Sequence, residues 1–583
     1  MEATAPNPSV ETLLHAFLPA KFVDHSHANA ILALTNRDDG EARVREALGD
    51  GVAIVPYVMP GYRLAQAAAE VFEEQPHCRG MVLLHHGLFT WGETARESYE
   101  AHVELVTLAE AAVAAATGRP LQAPVSASDP VEAPILAGVA PRVRGLLARR
   151  SGRRWALDFR RTDAIRALVS DPDLRDLLAS GPLTPDHVIR TKARPLVLSS
   201  PAGMDDAEWV AAAETRLDRW IDAYEAYFRD HSEAKGRRDL RQLDPLPRLI
   251  AVEGLGVFGV GDGPRAAAIA GDIYEHTAEV KVATREMGPY RALEEADLFD
   301  VEYWSLEQAK LGRGGRRPLQ GAVALVTGAA GAIGAAVCEA LAADGAAVVA
   351  VDVDGAGVER VAASVGEAGG SCLAVAADVT DEASMSAALD RCCAELGGLD
   401  VVVLNAGIAK SAAIEDLEIA DWNRVLEVNL TGYLVTLREA ARVFRRQGAG
   451  GNAVVISSKN VLAPGAEFAA YSVSKAGGHQ LGRVAAIELA PLGVRVNMVT
   501  PDAIFSHGEV RSGLWRDVGA ERARSRGLDL DGLEDYYRRR NLLQTRVRAE
   551  DVARAVLFFA REETPTTGAT LPVDGGLPEA FPR

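Results

Sequence analysis

The stretch VALVTGAAGAIGAAVCEALAADGAAVVAVDVDG, residues 323–355, decides the fold of the chain. VALVT is an apolar run of the kind buried on both faces of a parallel sheet. A Gly/Ala loop runs from Gly328 to Gly334, an Ala-rich helix ends at Gly345, and a second buried strand, AAVVAVD, stops on Asp352. Small residues in such a loop let the backbone approach a pyrophosphate at a helix N-terminus. Asp352 follows Gly334 by 18 residues, where a carboxylate meets a ribose. This order of elements predicts a dinucleotide-binding βαβ unit. The alternative is a tight turn in some other α/β domain.

Downstream residues supply chemistry for such a unit. VVVL ends in Asn405-Ala406-Gly407, Asn429 sits in the predicted helix VLEVNLTGYL, and AVVISS ends at Ser457-Ser458. Tyr471 and Lys475 are four apart in YSVSK and share a helix face. A tyrosine with its ordinary pKa of about 10 is a poor base at neutral pH. A nearby lysine ammonium favours the phenolate, so Tyr471 is expected to take an alcohol's proton as hydride leaves, or to return it in reduction. Ser458 would hold the substrate oxygen, Lys475 also the ribose hydroxyls, and Asn429 a relay water through its backbone. Taken alone, Tyr471 and Lys475 would read as an exposed pair.

Working outward, 583 residues exceed a single core, so two or three domains are expected. A net charge of −19 argues against nucleic-acid or anionic-membrane partners and leaves a small-molecule substrate as the expected one. Cys78, Cys338, Cys372, Cys392 and Cys393 form no CxxC pair, so a reducing cytoplasm fits better than a disulfide framework. The opening MEATAPNPSVE is acidic and has no apolar signal core, and no stretch reads as a transmembrane helix.

Near the start, PSVETLLHAFL is predicted as a helix capped by Ser9 and carrying Glu11. His25 and His27, two apart at a strand end, point the same way, and His86 follows the apolar run MVLL. Three such imidazoles can bind a divalent metal, with Glu11 as the carboxylate that moves protons. The alternative is scattered histidines. The basic run GVAPRVRGLLARRSGRRWALDFRR reads as a solvated face or a phosphosugar site, and His187, Arg190 and Lys192 as a second anion site. The long helix from Asp206, with aromatics at helical spacing, reads as core or subunit interface. Gly254, Gly256 and Gly259 form a GxGxxG but read as a glycine-rich hairpin. No internal repeat is expected.

PSVETLLHAF, DHSHAN and HHGLFTWG resemble the class II aldolase/adducin family. The resemblance implies zinc, or another divalent metal, on His25, His27 and His86, with Glu11 as acid/base. The family's His-Gly pair selects His86 over His85. The family's N-terminal segment, with its phosphate loop, is expected to be missing. From Leu319 to the end, TGAAGAIG, AADVTD, LNAG, the Asn of EVNL, ISS, YSVSK and VDGG are similar to the short-chain dehydrogenase/reductase family. That implies a catalytic set of Asn429, Ser458, Tyr471 and Lys475. It implies a cofactor site of Gly328, Ala332, Ile333, Gly334, Asp352, Asp378, Val379, Asn405, Ala406, Gly407, Tyr471, Lys475 and Pro501. Ala332 replaces the family's middle glycine and Asp502 the glycine after Pro501. Asp352, with no basic residue close behind it, favours NAD over NADP.

EYWSLEQAKL, SSKN at Ser457–Asn460, the insertion SGLWRDVGAERARSRGLDLDGLEDYYRRRNLL and VDGGLPEAFPR resemble the bifunctional rhamnulose-1-phosphate aldolase/short-chain dehydrogenase proteins of rhamnose catabolism. This implies cleavage to dihydroxyacetone phosphate and lactaldehyde, with the aldehyde oxidised or reduced by the second activity. The other reading is a dehydrogenase of a sugar or other alcohol whose N-terminal part only supports assembly. Lys459 reads as a surface lysine or as a contact for an anionic or hydroxy-acid group. The expected fold is a partial class II aldolase-like α/β domain (1–235), a connecting α/β segment (236–315) and a Rossmann doubly wound parallel sheet (316–583), in a cytoplasmic homo-oligomer.

Overall fold

The computed structural model of the protein describes residues 9, 11–121, 131, 133–311 and 315–581. The chain divides into one compact unit of residues 1–130, 158–260 and 266–315 and another of 131–157, 261–265 and 316–583.

The first unit holds two four-stranded sheets. β1 (Phe22–Ser26), β2 (Val52–Val55), β3 (Gly80–Leu83) and β4 (Gly87–Gly92) lie in the order β1-β4-β3-β2, with β2 and β3 parallel and β4 antiparallel to both of its neighbours. β5 (Ala156–Arg160), β6 (Leu196–Leu198), β7 (Leu249–Val252) and β8 (Gly256–Gly261) repeat that order as β5-β8-β7-β6, again with a parallel β6/β7 pair and an antiparallel β7/β8 hairpin. Each hairpin turns through three residues, the middle one at positive φ: His85 at 59° and Gly254 at 75°. A long helix follows each hairpin, Ala95–Thr117 and Pro264–Met287. The unit is therefore built on an internal repeat, contrary to the sequence expectation. What the copies share is burial and backbone, not residue identity: LHH turns the first hairpin and EGL the second. The GxGxxG is that second hairpin.

The first helix spans Thr12–Phe17, two residues later than the predicted Ser9 cap requires. Glu11 occupies the N-cap position, while Ser9 accepts the Glu11 N–H on its hydroxyl (3.3 Å) and the Thr12 N–H on its carbonyl (3.1 Å). Glu11 thus sits at the mouth of the helix rather than on its side.

The second unit is organised by β9 (Val323–Thr327), β10 (Ala347–Asp352), β11 (Ser371–Ala376), β12 (Val401–Leu404), β13 (Gly451–Ile456) and β14 (Val494–Pro501). A small hairpin, β15 (Ser506–His507) and β16 (Val510–Arg511), precedes β17 (Thr570–Val573). The main sheet is all parallel in the order β11-β10-β9-β12-β13-β14-β17. Residues of β9 and β12 are almost wholly buried because helices cover both faces. Strand order reverses between β9 and β12, and such a switch point opens a crevice at the strands' C-terminal ends.

The helix Ala133–Ser151 packs in this unit against helices Glu382–Leu396 and Gly432–Gln447. Arg144 is 1% exposed and its guanidinium grips both oxygens of buried Asp400, which also accepts the Val323 N–H at 2.8 Å. Arg154 reaches the same carboxylate at 3.0 Å. These two cations of the basic run therefore anchor the start of β9 and are not available to a phosphosugar. Among the described residues no helix is long and apolar enough to cross a membrane.

Candidate active sites

The crevice above β9 and β12 collects the sequence-predicted cofactor residues. Gly328 has φ +65°, and a Cβ there would stand 2.7 Å from the Ala406 Cα. Asn405 donates its side-chain amide to the carbonyls of Thr327 and Gly328, both at 3.0 Å, so the end of β12 holds the loop in place. A Cβ on Gly334 would meet the Gly328 carbonyl oxygen at 2.2 Å, which lets the helix Ala332–Ala343 start hard against that loop. Ala332 is its first residue, with Ile333 and Gly407 on the pocket wall. Asp352 closes β10 and accepts the N–H groups of Ala330 (3.1 Å) and Asp354 (3.0 Å). Asp378 uses its carboxylate on the N–H and hydroxyl of Thr380 (2.9 and 2.7 Å), and Val379 packs where a Gly432 Cβ would be. The cradle a Cβ would fill, at a helix N-terminus, fits a dinucleotide.

The helix Ala469–Leu489 carries Tyr471 and Lys475 into a pocket shared with Ser458, Asn405 and Pro501. Burial pushes the Tyr471 hydroxyl up to about 12. The Ser458 hydrogen bond pulls against that rise, and the charge of Asp502 adds to it. Lys475 is 4% exposed and donates to the Tyr433 hydroxyl (2.8 Å) and the Ile456 carbonyl (2.9 Å). Burial brings it down to about 7. Its Nζ stands 5.9 Å from the Tyr471 ring centre. The expected lowering of the tyrosine by a neighbouring ammonium is therefore not what this structure shows: desolvation governs both groups and drives each towards its neutral form. Asn429 lies in a single π turn, Glu427–Thr431, a feature frequent at functional sites. Its amide takes both backbone groups of Ile408 at 2.9 Å and reaches Ser474 at 3.0 Å.

The far wall of the pocket comes from the insertion, folded as helices Gly513–Arg524 and Leu530–Arg539. Trp515 stacks on Phe505 with centroids 4.6 Å apart, and Arg522 lies over Phe468 at 4.5 Å. Lys459 is half-buried on this wall, not a surface lysine, and donates to the Ala463 carbonyl at 3.0 Å. Burial and then the nearby Arg540 charge bring it down to about 8, with Asp502 opposing. Arg522 pairs with Glu467 (3.1 Å) and Arg540 with Asp502 (2.5 Å), while the Nε atoms of both arginines are buried without a hydrogen-bond partner. Sequence reasoning did not foresee Arg522 or Tyr433, because nothing local marks which residue of an insertion or helix will face a pocket.

In the first unit, β1 and the β3/β4 turn bring His25, His27 and His86 together, with ring centroids 4.8 to 5.3 Å apart. Glu11 completes a cluster whose ligand atoms all lie within 4.8 Å of one another. His25 stacks on Phe89 and donates from Nδ1 to the Leu88 carbonyl at 3.0 Å, which leaves its Nε2 lone pair facing the cluster. The Nε2 atoms of all three histidines are buried without a hydrogen-bond partner. Glu11 Oε1 stands 3.0 Å from His25 Nε2 and 3.4 Å from that of His86. Burial would raise the Glu11 carboxyl, but the two imidazoles hold it well below the carboxylate range. Burial and the His86 charge push His27 down to about 3, so it is a neutral imidazole, the form that ligates. A Cβ on Gly87 would meet the Ser26 carbonyl oxygen at 2.4 Å and the His25 and His27 rings at 3.1 Å, which explains the glycine after His86. This donor set fits a divalent metal. His85, at positive φ, is not part of the cluster.

The predicted anion site at His187, Arg190 and Lys192 does not form. Lys192 is buried against Glu302 (3.0 Å) and Tyr224 (2.6 Å), Arg190 donates to the Lys310 carbonyl, and His187 lies 6.4 Å from the His27 ring.

Three family descriptions match the chain: "Class II Aldolase and Adducin N-terminal domain" over residues 1–113, "Aldolase class II, second domain" over 134–311, and "short chain dehydrogenase" over 322–514. An uncharacterized oxidoreductase of Bacillus subtilis, YuxG, is 33% identical across 100% of this chain and 85% of its own length. The cis-4-hydroxycyclohexanecarboxylate dehydrogenase of Sinomonas cyclohexanicum is 41% identical over 44% of this chain and 95% of its own. The D-threitol dehydrogenase of Mycolicibacterium smegmatis is 36% identical over 44% and 93%.

Proposed function

We propose, for a chain that belongs to the family joining class II aldolase domains to a short-chain dehydrogenase, that one polypeptide cleaves a phosphorylated ketose and then oxidises or reduces the released hydroxy-aldehyde. The substrates are rhamnulose 1-phosphate and lactaldehyde. The observation that carries the reading is that Ser458, Tyr471 and Lys475 line one pocket that shares its wall with the dinucleotide cradle.

When bound, NAD accepts or returns a hydride. Asp352, at the ribose end of the cradle, supports NAD over NADP because a carboxylate there repels a 2′-phosphate. Ser458 holds the substrate oxygen, and Tyr471 takes or gives its proton: an aldehyde is reduced directly to the alcohol, and is oxidised as its hydrate, whose hydroxyl gives Tyr471 the proton as hydride leaves. Phe468, Leu514 and Trp515 exclude water from that transfer. Lys459, with only a backbone acceptor at hydrogen-bond distance, supports a substrate or product with a carboxylate or other anionic group beside the reacting carbon.

His25, His27 and His86 would hold zinc or another divalent metal, which when bound polarises a ketose oxygen, with Glu11 beside them. Glu11 is placed to move a proton at that substrate. Exposed Val473, Val484 and Ile487 on the helix Ala469–Leu489 offer an apolar face for a homo-oligomer contact. A second reading, a dehydrogenase of a sugar alcohol or other alcohol with a non-catalytic N-terminal part, draws on relatives such as the D-threitol dehydrogenase, which match only the C-terminal part. The two readings separate in one assay. Metal-loaded protein given rhamnulose 1-phosphate should release dihydroxyacetone phosphate; metal-loaded protein that reduces NAD with an alcohol but cleaves no ketose phosphate supports the second.

A further inference from the structure

The two copies of the repeat can be matched position by position at the metal centre. In the first, β3 and β4 are joined by Leu84-His85-His86, and in the second β7 and β8 are joined by Glu253-Gly254-Leu255, with the central residue at positive φ in both. Leu255 therefore stands where His86 stands. His25 stacks on Phe89, two residues after Gly87; Phe159 meets Phe258, two residues after Gly256, with centroids 5.1 Å apart. Phe159 thus replaces His25, and Arg161, two residues further on, replaces His27. Arg161 donates to the Leu255 carbonyl at 3.0 Å, so this corner has become a structural contact. The second copy has kept the scaffold and lost all three nitrogen ligands.

It contributes to the first copy's centre instead. The short turn Pro185–His187, between β5 and β6, directs Asp186 at the histidine cluster. Asp186 Oδ2 stands 3.5 Å from His86 Nε2 and 3.8 Å from His27 Nε2, and it is buried with no hydrogen-bond partner. Donor atoms that share one metal at bond lengths of about 2.0–2.2 Å lie roughly 3–4 Å apart, as Asp186 Oδ2 does from the His86 and His27 Nε2 atoms. The other oxygen, Oδ1, faces Lys310 Nζ at 3.8 Å, and Lys310 is itself held by Glu307 at 2.6 Å. One oxygen is thus tethered to a cation while the other points, unpaired, into the cluster. Glu11 and Asp186 each approach His86, the first from beside His25 and the second from beside His27.

We propose that Asp186 is a further donor of the divalent-metal centre, supplied by the repeat that has no metal site of its own. The inference rests on the metal reading of the first-copy histidines. It makes the centre a composite of both copies, with mixed nitrogen and carboxylate donors suited to zinc, cobalt or manganese.

The test uses the full chain stripped of metal by a chelator and then titrated with zinc against a chromophoric competitor. Wild type, Asp186→Asn, Asp186→Ala and His25→Ala are compared, with the melting temperature of each metal-free protein as a fold control. We expect wild type to bind one zinc per chain, both Asp186 variants to bind it about tenfold or more weakly, and His25→Ala to retain little. In the cobalt-loaded protein, Asp186→Asn should intensify the visible ligand-field bands as the coordination number falls. Unchanged zinc affinity and an unchanged cobalt spectrum in folded Asp186→Asn would overturn the assignment while leaving the histidine site standing. Wild type that binds no metal, or no better than His25→Ala, would overturn the histidine site itself and Asp186 with it.

Discussion

At the histidine cluster, three imidazole nitrogens and one Asp186 oxygen face one another with no protein hydrogen bond among them. At the Tyr471 pocket, Lys475 and Asn429 already bond to Tyr433, Ile456, Ile408 and Ser474. Buried polar atoms left unpaired cost of the order of 1–3 kcal/mol each. The first arrangement therefore leaves donor atoms open to an ion, whereas the second pairs its side chains within the protein. A site of the first kind depends on loading. A site of the second kind depends on the exact partners of a few side chains, and on burial, which pushes the Tyr471 hydroxyl up and the Lys475 ammonium down.

The largest effect expected from breaking this contrast is at Tyr471. Tyr471→Phe keeps the pocket's shape and removes the proton carrier, so NAD reduction should fall about a thousandfold while NADH binding, followed by calorimetry, stays within a few-fold. An activity loss matched by an equal loss of binding would make Tyr471 a binding residue only. His25→Ala tests the other side: metal per chain, measured by elemental analysis, should drop from near one to near zero with dehydrogenase turnover unchanged.

A smaller effect, on stability, separates both sites from the scaffold that carries one of them. Arg144→Ala leaves Asp400 buried with Arg154 as its remaining cation, and should cost about 3–5 kcal/mol in denaturant unfolding of the second unit. Loss of the predicted phosphosugar contact alone would leave stability unchanged. The smallest expected effect is at Lys459. Its ammonium is charged below about 8 and neutral above, so the KM for an anionic substrate such as lactate should climb as pH rises through that value. The KM for neutral propane-1,2-diol should not. Lys459→Ala should raise the lactate KM about tenfold and abolish its pH dependence; equal sensitivity of both substrates would remove Lys459 from the anion role.

How far each site could be read from sequence follows from how local its determinants are. The cradle from Gly328 to Asp352 is one continuous stretch, and its Gly328 and Gly334 are demanded by contacts of 2.2 to 2.7 Å that no larger residue survives. Tyr471 and Lys475 share a helix, and His25 and His27 share a strand end, so spacing alone places them. Asp186 is remote in the chain from His25 and stands on a three-residue turn with no pattern of its own. The repeat escaped notice because its copies conserve topology while Phe159, Arg161 and Leu255 replace the residues that made the first copy recognisable. The direction of Lys475 escaped for a different reason. Spacing puts it on the face of Tyr471, but the Tyr433 hydroxyl and the Ile456 carbonyl, brought by other elements, decide where its Nζ goes.

The central claim is that one chain makes an aldehyde at the histidine centre and processes it at Tyr471. It is tested most directly by following NADH absorbance after adding rhamnulose 1-phosphate and NAD to metal-loaded wild type, His25→Ala and Tyr471→Phe, each also given lactaldehyde. With NAD or, in a parallel run, NADH supplied, the account predicts NADH formed or consumed with both substrates in wild type, with lactaldehyde alone in His25→Ala, and with neither in Tyr471→Phe. NADH turnover with rhamnulose 1-phosphate that survives in His25→Ala, or no NADH formed or consumed with lactaldehyde in wild type, would contradict it.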